Sequence, residues 1–140
     1  MASRKNSIAG LLPKGSLLGV VHLPALPGAP SYGGNLEVIR QSMRRDLLAL
    51  KNGGAHAVIM ENFGDAPFAA DSAGPAAVAC LTSLACEARE LFPGPLGINL
   101  LRNDGLGAMA IAAAAGADFI RVNVLVGARL ADQEIGRAHV

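Results

Sequence analysis

The chain has no tryptophan, one tyrosine and four phenylalanines. With so few large rings, small side chains have to do much of the packing, and 17 glycines and several alanine runs supply them. Such a composition suits helices laid closely on a sheet and joined by many tight turns. Charge is scarce as well: 12 Lys and Arg against 11 Asp and Glu give a net +1. That balance makes no electrostatic case for nucleic acid or an acidic membrane surface as partner. Long apolar runs are also missing. The longest, residues 109–117, is far shorter than the roughly 20 residues a membrane-spanning helix needs.

Cysteine is limited to Cys80 and Cys86. Both fall on one expected helix, where a turn of about 100° per residue points them to different faces. They can neither pair nor hold a metal together, and two buried thiols in a reducing cytosol is the expectation. Residues 1–16 set Arg4 and Lys5 before a short apolar stretch that Pro13 and Lys14 break. A secretory signal needs a longer apolar segment, so a cytoplasmic location is expected. The 51% hydrophobic content of these 140 residues is that of one folded domain and not of a disordered chain.

Periodicity gives the organisation. Residues 17–23 (LLGVVHL) form a short apolar run between Gly15 and Pro24, the pattern of a strand buried on both faces. A Pro- and Gly-rich loop follows, then Asn35 as a helix cap. Leu36, Ile39, Met43, Leu47 and Leu50 recur at helical spacing, and Gly53-Gly54 end that helix. The unit then repeats. Residues 55–61 (AHAVIME) are the second strand, a long loop runs over 62–74, and a helix opened by Pro75 runs to about Leu91. Residues 96–101 are the third strand, 105–115 an Ala-rich helix capped by Asp104, and 118–125 (DFIRVNVL) the fourth strand.

Four apolar strands alternating with three helices imply a parallel sheet with right-handed crossovers. The open doubly wound sheet is the rival, but its GxGxxG fingerprint after the first strand is absent, and no cofactor is expected. Four units match half of a barrel whose full length is about 250 residues. The expected fold is therefore α/β: the N-terminal half of a (β/α)8 TIM barrel over 17–133, behind an extension at 1–16. Left alone, that half is expected to self-associate through its open edges.

Barrel active sites form at the C-terminal strand ends, and every strand here ends in polar residues. The first ends in His22, and the second in Glu61 and Asn62 with Asp65 beyond. The third carries Asn99 and is followed by Arg102, Asn103 and Asp104; the fourth carries Arg121 and Asn123. Alternation along a strand puts Arg121 and Asn123 on one face, opposite Ile120, Val122 and Val124. Each residue also has a plain structural use. His22 can be a hydrogen-bonded core histidine, Glu61 and Arg121 a structural ion pair, Asn103-Asp104 a turn and helix cap, and Asp65 a loop-shaping residue. His56 begins its strand at the opposite mouth and is read as structural. Convergence on one rim favours function, because a core alone does not need it. Glu61, Asp65 and Asp104 are carboxylates that a metal could use, but no His joins them at ligand spacing, and no metal is expected.

Residues 22–34 (HLPALPGAPSYGG), 61–68 (ENFGDAPF) and 96–128 (LGINLLRNDGLGAMAIAAAAGADFIRVNVLVGA) resemble the BtpA family, also called BtpA/SgcQ, in order and spacing. The resemblance implies a TIM barrel akin to phosphoribosylanthranilate isomerase and other phosphate-binding barrels. The family's cyanobacterial namesake is linked to photosystem I biogenesis or stability at the thylakoid surface. Other members occur in organisms without photosynthesis. The resemblance supplies no settled catalytic set, so the site residues rest on barrel geometry.

The family pattern fails after Gln133. Residues 134–140 (EIGRAHV) back-translate to GAG ATC GGA AGA GCA CAC GTC, which from its second base is the start of a common sequencing adapter. These residues are expected to be read-through and are excluded from fold reasoning. The sequence thus leads to a small-molecule enzyme in full-length form, an isomerase or lyase of a phosphorylated, sugar-like substrate. His22 or Glu61 serves as acid/base. Asn62, Asp65, Asn99, Arg102, Asn103, Asp104, Arg121 and Asn123 bind substrate. The rival is a non-catalytic photosystem I biogenesis factor, with peripheral membrane association.

Overall fold

Parallel pairing in chain order is what the apolar strands produce. In a computed structural model, residues 7–126 are described, together with the backbone of 128–130 and 135–137. A short helix α1 (Ile8–Leu11) precedes β1 (Leu18–His22), α2 (Leu36–Asn52), β2 (Ala57–Glu61), α3 (Pro75–Leu91), β3 (Leu96–Asn99), α4 (Gly105–Ala115) and β4 (Phe119–Ile120). β1 to β4 form one parallel sheet in the order β1-β2-β3-β4, as in half of a TIM barrel, and the barrel is not closed. Two further strands, β5 (Ala128–Leu130) and β6 (Ile135–Arg137), pair antiparallel with each other. Of residues 134–140, expected to be read-through, 134 and 138–140 lie outside the described residues.

The helix ends follow the local chemistry. Asn35 Oδ1 accepts from Glu37 N at 2.9 Å to cap α2. Pro75 opens α3, and Gly116, at φ 67°, closes α4 in the left-handed region that glycine tolerates. Of the α2 stripe, Ile39, Met43 and Leu47 are buried and Leu50 packs against the core, while Leu36 in the first turn stays exposed. The small residues of α4, Ala108, Ala112 and Ala115, are buried, as close packing on the sheet requires.

Register sorts the strand residues onto two faces. Val21, Met60, Ile98 and Ile120 align across the sheet and face the helices. Val20, Ile59, Gly97 and Phe119 align on the opposite face, the barrel interior. Ile98 is thus a helix-facing core residue. A Cβ on Gly97 would meet the Phe119 ring at 2.4 Å, so that ring packs directly on Gly97. The cysteines depart from expectation: Cys86 is exposed and Cys80 half-buried, because α3 faces the sheet with its Leu81, Leu84, Ala85 and Ala88 side. Burial raises the Cys80 thiol above the ordinary range. His56 plays the structural part expected of it, its Nδ1 accepting from Leu17 N at 2.9 Å.

Outside the sheet, α2 and α3 are tied by charge. Glu87 accepts from Arg40 Nη1 at 2.8 Å and from Arg44 Nε. Partial burial pushes its carboxyl up, but the two guanidinium groups outweigh that and hold it below the usual carboxylate value.

Candidate active site at the strand C-termini

In a parallel ladder, residues in register present side chains on the same face. His22 is in register with Glu61, and Glu61 with Asn99. Arg121 follows β4 directly and extends the ladder by one bond, its N donating to Ile98 O at 2.9 Å. Four strands thereby deliver one side chain each to a single layer on the interior face.

Glu61 is the centre of that layer. His22 Nε2 stands 2.8 Å from Glu61 Oε2. Asn99 Nδ2 donates to Glu61 Oε1 at 2.6 Å, and Arg121 Nη2 donates to the same oxygen at 2.7 Å. The Glu61 side chain is only 5% exposed, whereas His22 and Arg121 are 53% and 45% exposed. A buried carboxylate between an arginine and two further donors is fixed in place by those contacts. Its oxygens are spoken for, while His22 and Arg121 keep open sides. Because Nε2 faces a carboxylate, it carries the proton in neutral His22, leaving Nδ1 as a free lone pair. Phe63 completes the arrangement: its ring stacks on the imidazole, with centroids 4.5 Å apart and planes 20° apart. Phe63 is not among the site residues expected from the sequence. The available signal was an aromatic two residues beyond a strand-end glutamate, in a chain nearly devoid of aromatics.

The remaining expected binding residues are placed in the frame around this layer. Asn62 mimics a peptide group: Leu101 N donates to its Oδ1 at 2.6 Å, and its Nδ2 donates to Leu101 O at 3.2 Å. That Nδ2 also donates to Asp65 Oδ2 at 2.9 Å, and Asp65 Oδ1 accepts from Leu26 N at 2.7 Å. Asn103 repeats the device one strand on, pairing with both the N and O of Val124 at 2.9 and 3.0 Å. Asn123 Nδ2 donates to Arg102 O at 3.0 Å. Asp104 caps α4 through Gly107 N at 2.7 Å and accepts from Ala73 N at 3.0 Å. Arg102 is buried among these loops. The loops after the four strands are thus stitched side by side. β4 is also shorter than the expected 118–125: β3 ends at Asn99, so beyond the Arg121 bond the Asn103–Val124 clip replaces the ladder.

Gly64 lets the loop after β2 tuck under the loop after β1. Its N donates to Leu23 O at 2.9 Å, and a Cβ there would meet Ala25 N at 2.4 Å. A separate hollow of about 280 Å³ lies between Pro27–Pro30 and residues 67–73, walled in part by Asp65, whose oxygens are both already bonded. Among the described residues, no three His, Cys, Asp or Glu side chains are grouped to hold a metal ion, and no helix is long and apolar enough to cross a membrane.

Similarity to known proteins agrees with this architecture. The chain is 44% identical over 125 residues to the photosystem I biogenesis protein BtpA of Synechocystis, covering 88% of this chain and 44% of the relative. An uncharacterized protein of Thermococcus kodakarensis is 46% identical over 125 residues, covering 88% and 48%. An uncharacterized mitochondrial protein of Caenorhabditis elegans is 32% identical over 125 residues, covering 84% and 44%. The chain therefore spans about half the length of these relatives. The BtpA family matches residues 13–140, a span that holds His22, Glu61, Asn99 and Arg121, and the chain belongs to that family.

Proposed function

We propose that the full-length protein is a small-molecule enzyme, an isomerase or lyase acting on a phosphorylated, sugar-like substrate at the mouth of its barrel. The observation that carries this reading is the fully engaged Glu61 carboxylate, which orients His22 on one side and Arg121 on the other. His22 Nδ1 is the acid/base. It takes a proton from a hydroxyl-bearing carbon beside a carbonyl, and the electron pair moves onto the carbonyl oxygen to give an enediolate. The hydroxyl proton passes to that oxygen, and the imidazolium, held beside Glu61, returns its proton to the former carbonyl carbon as the new carbonyl forms on the first. Glu61 is a positioning residue, because its oxygens are occupied. Arg121 binds the substrate's anionic group with the N–H groups that Glu61 leaves open, and Asn99 binds a substrate oxygen. Asn62, Asp65, Arg102, Asn103, Asp104 and Asn123 hold the loops around the substrate at fixed spacing.

Relatives in a hyperthermophilic archaeon and a nematode, organisms without photosystem I, support a metabolic role. The second reading, a non-catalytic photosystem I biogenesis factor, rests on the name of the Synechocystis relative. Incubation with sugar phosphates in D2O separates the two. The enzyme reading expects deuterium in recovered substrate or product, with a rate that falls by about 10²–10⁴-fold in His22→Ala, the usual worth of a general acid/base. No exchange with any sugar phosphate, or undiminished exchange in the variant, contradicts it.

A further inference from the structure

Asn99 Oδ1 is the buried side-chain polar atom, among the described residues, that lacks any hydrogen-bond partner. Its orientation is not arbitrary. The carboxamide must turn Nδ2 toward Glu61, since an oxygen there would face a carboxylate. Oδ1 is then the remaining acceptor, on a residue 1% exposed. Buried acceptors are rarely left orphaned, and an orphan at a site points to a missing donor. The donor has to come from the interior face of the sheet, where His22 and Arg121 have their open sides. Arg121 is attached to Glu61 by a single nitrogen, Nη2, and its side chain is half-exposed.

We propose, resting on the active-site reading above, that Asn99 Oδ1 is the seat of a substrate hydroxyl that neighbours the anion bound by Arg121. Oδ1 accepts from that hydroxyl while the N–H groups of Arg121 that Glu61 leaves open hold the anion beside it. The ligand class is then an anion bearing a hydroxyl on an adjacent carbon, whether a hydroxy acid or a polyol phosphate. A plain anion fills only the Arg121 half of the site and leaves Oδ1 orphaned. Selectivity for the hydroxylated ligand follows, because a polar group built to bond a hydroxyl rejects the analogue that lacks it.

The test uses the longest form of the protein that contains this chain, isotope-labelled at asparagine. It is titrated with lactate against propionate, and with glycerol 3-phosphate against propyl phosphate. In the wild type, the hydroxylated member of one pair is expected to bind at least tenfold more tightly and to shift the Asn99 side-chain amide resonances. A preference confined to the first pair identifies a hydroxy acid, and one confined to the second a polyol phosphate. In Asn99→Leu the preference should fall to within twofold. Equal binding within both pairs in the wild type overturns the hydroxyl seat, yet leaves the active-site reading standing if Arg121→Ala still weakens both members. A preference that survives Asn99→Leu also overturns it. If no member binds, the anion site and the hydroxyl seat fall together.

Discussion

Glu61 reaches His22 across the β1–β2 register, Oε2 lying 2.8 Å from Nε2, while its other oxygen takes Asn99 and Arg121. One buried carboxylate therefore sets the position of three side chains from three other strands. The arrangement depends on strand register alone, since His22, Glu61 and Asn99 are direct ladder neighbours. A slip of one residue would turn each of them to the helix side.

We propose Arg121 as the anion-binding member of this layer. Replacing it with Ala should weaken binding of an anionic ligand by about 1.5–3 kcal/mol, the range for hydrogen bonds to charged groups. Calorimetric titration with phosphate or a sugar phosphate reads this directly. Equal affinity in folded wild type and variant would reject the role.

Gly64 carries the loop that presents Phe63 and Asp65. Its missing side chain lets it sit against the backbone of Leu23, Pro24 and Ala25. Gly64→Ala must push backbone apart, at a cost of about 1–3 kcal/mol for overpacking. Denaturant titration should show that loss, and fluorine or aromatic NMR should show Phe63 leaving the His22 ring. A variant of wild-type stability would mean that the loop contact contributes nothing.

Most of the fold was legible in the sequence because its signals are local. Apolar runs of strand length, helix stripes, and caps such as Asn35, Pro75 and Asp104 each act over a few residues. The convergence of His22, Glu61, Asn99 and Arg121 was legible as well, since strand ends of a parallel sheet share one rim. What was not legible depends on contacts between loops. Asn62 and Asn103 read as site residues, but their carboxamides are paired with main chain about 39 and 21 residues away. No periodicity announces such a pairing. The face of Ile98 is not legible either, because all of β3 is buried, which erases the alternation that tells one side from the other.

The interior face of the sheet shapes the behaviour of the 140-residue chain made alone. β1 and β4 are the sheet's edges, Leu17 and Leu18 on the first are exposed, and α4 presents Leu106 and Met109 outward. Unpaired edges and uncovered apolar surface favour association. Sedimentation at low micromolar concentration should find dimers or larger species. A monodisperse monomer with a cooperative melt would contradict this.

Glu87 gives a pH-dependent contribution of known sign. Its carboxyl lies below the unfolded value of about 4.3. The contribution is therefore fully present above the unfolded value and is lost as the pH falls through the folded one. Glu87→Gln should lower stability by about 0.5–1 kcal/mol at pH 7, as expected for partly exposed pairs. The gap should close once the pH is below both values. A gap unchanged into acid would show that the Arg40 and Arg44 contacts are not its source.

If Glu61 sets the protonation geometry of His22, the imidazole tautomer must answer to Glu61. Long-range proton–nitrogen NMR on the longest form of the protein reads which ring nitrogen of neutral His22 bears the proton. With Glu61 in place, the account predicts Nε2–H and a bare Nδ1. In Glu61→Gln, the oxygen of the new amide stays with Asn99 and Arg121, so its NH2 group faces His22. Nε2 must then accept, and the proton should move to Nδ1. Wild-type His22 protonated on Nδ1, or a tautomer indifferent to Glu61→Gln, would contradict the account.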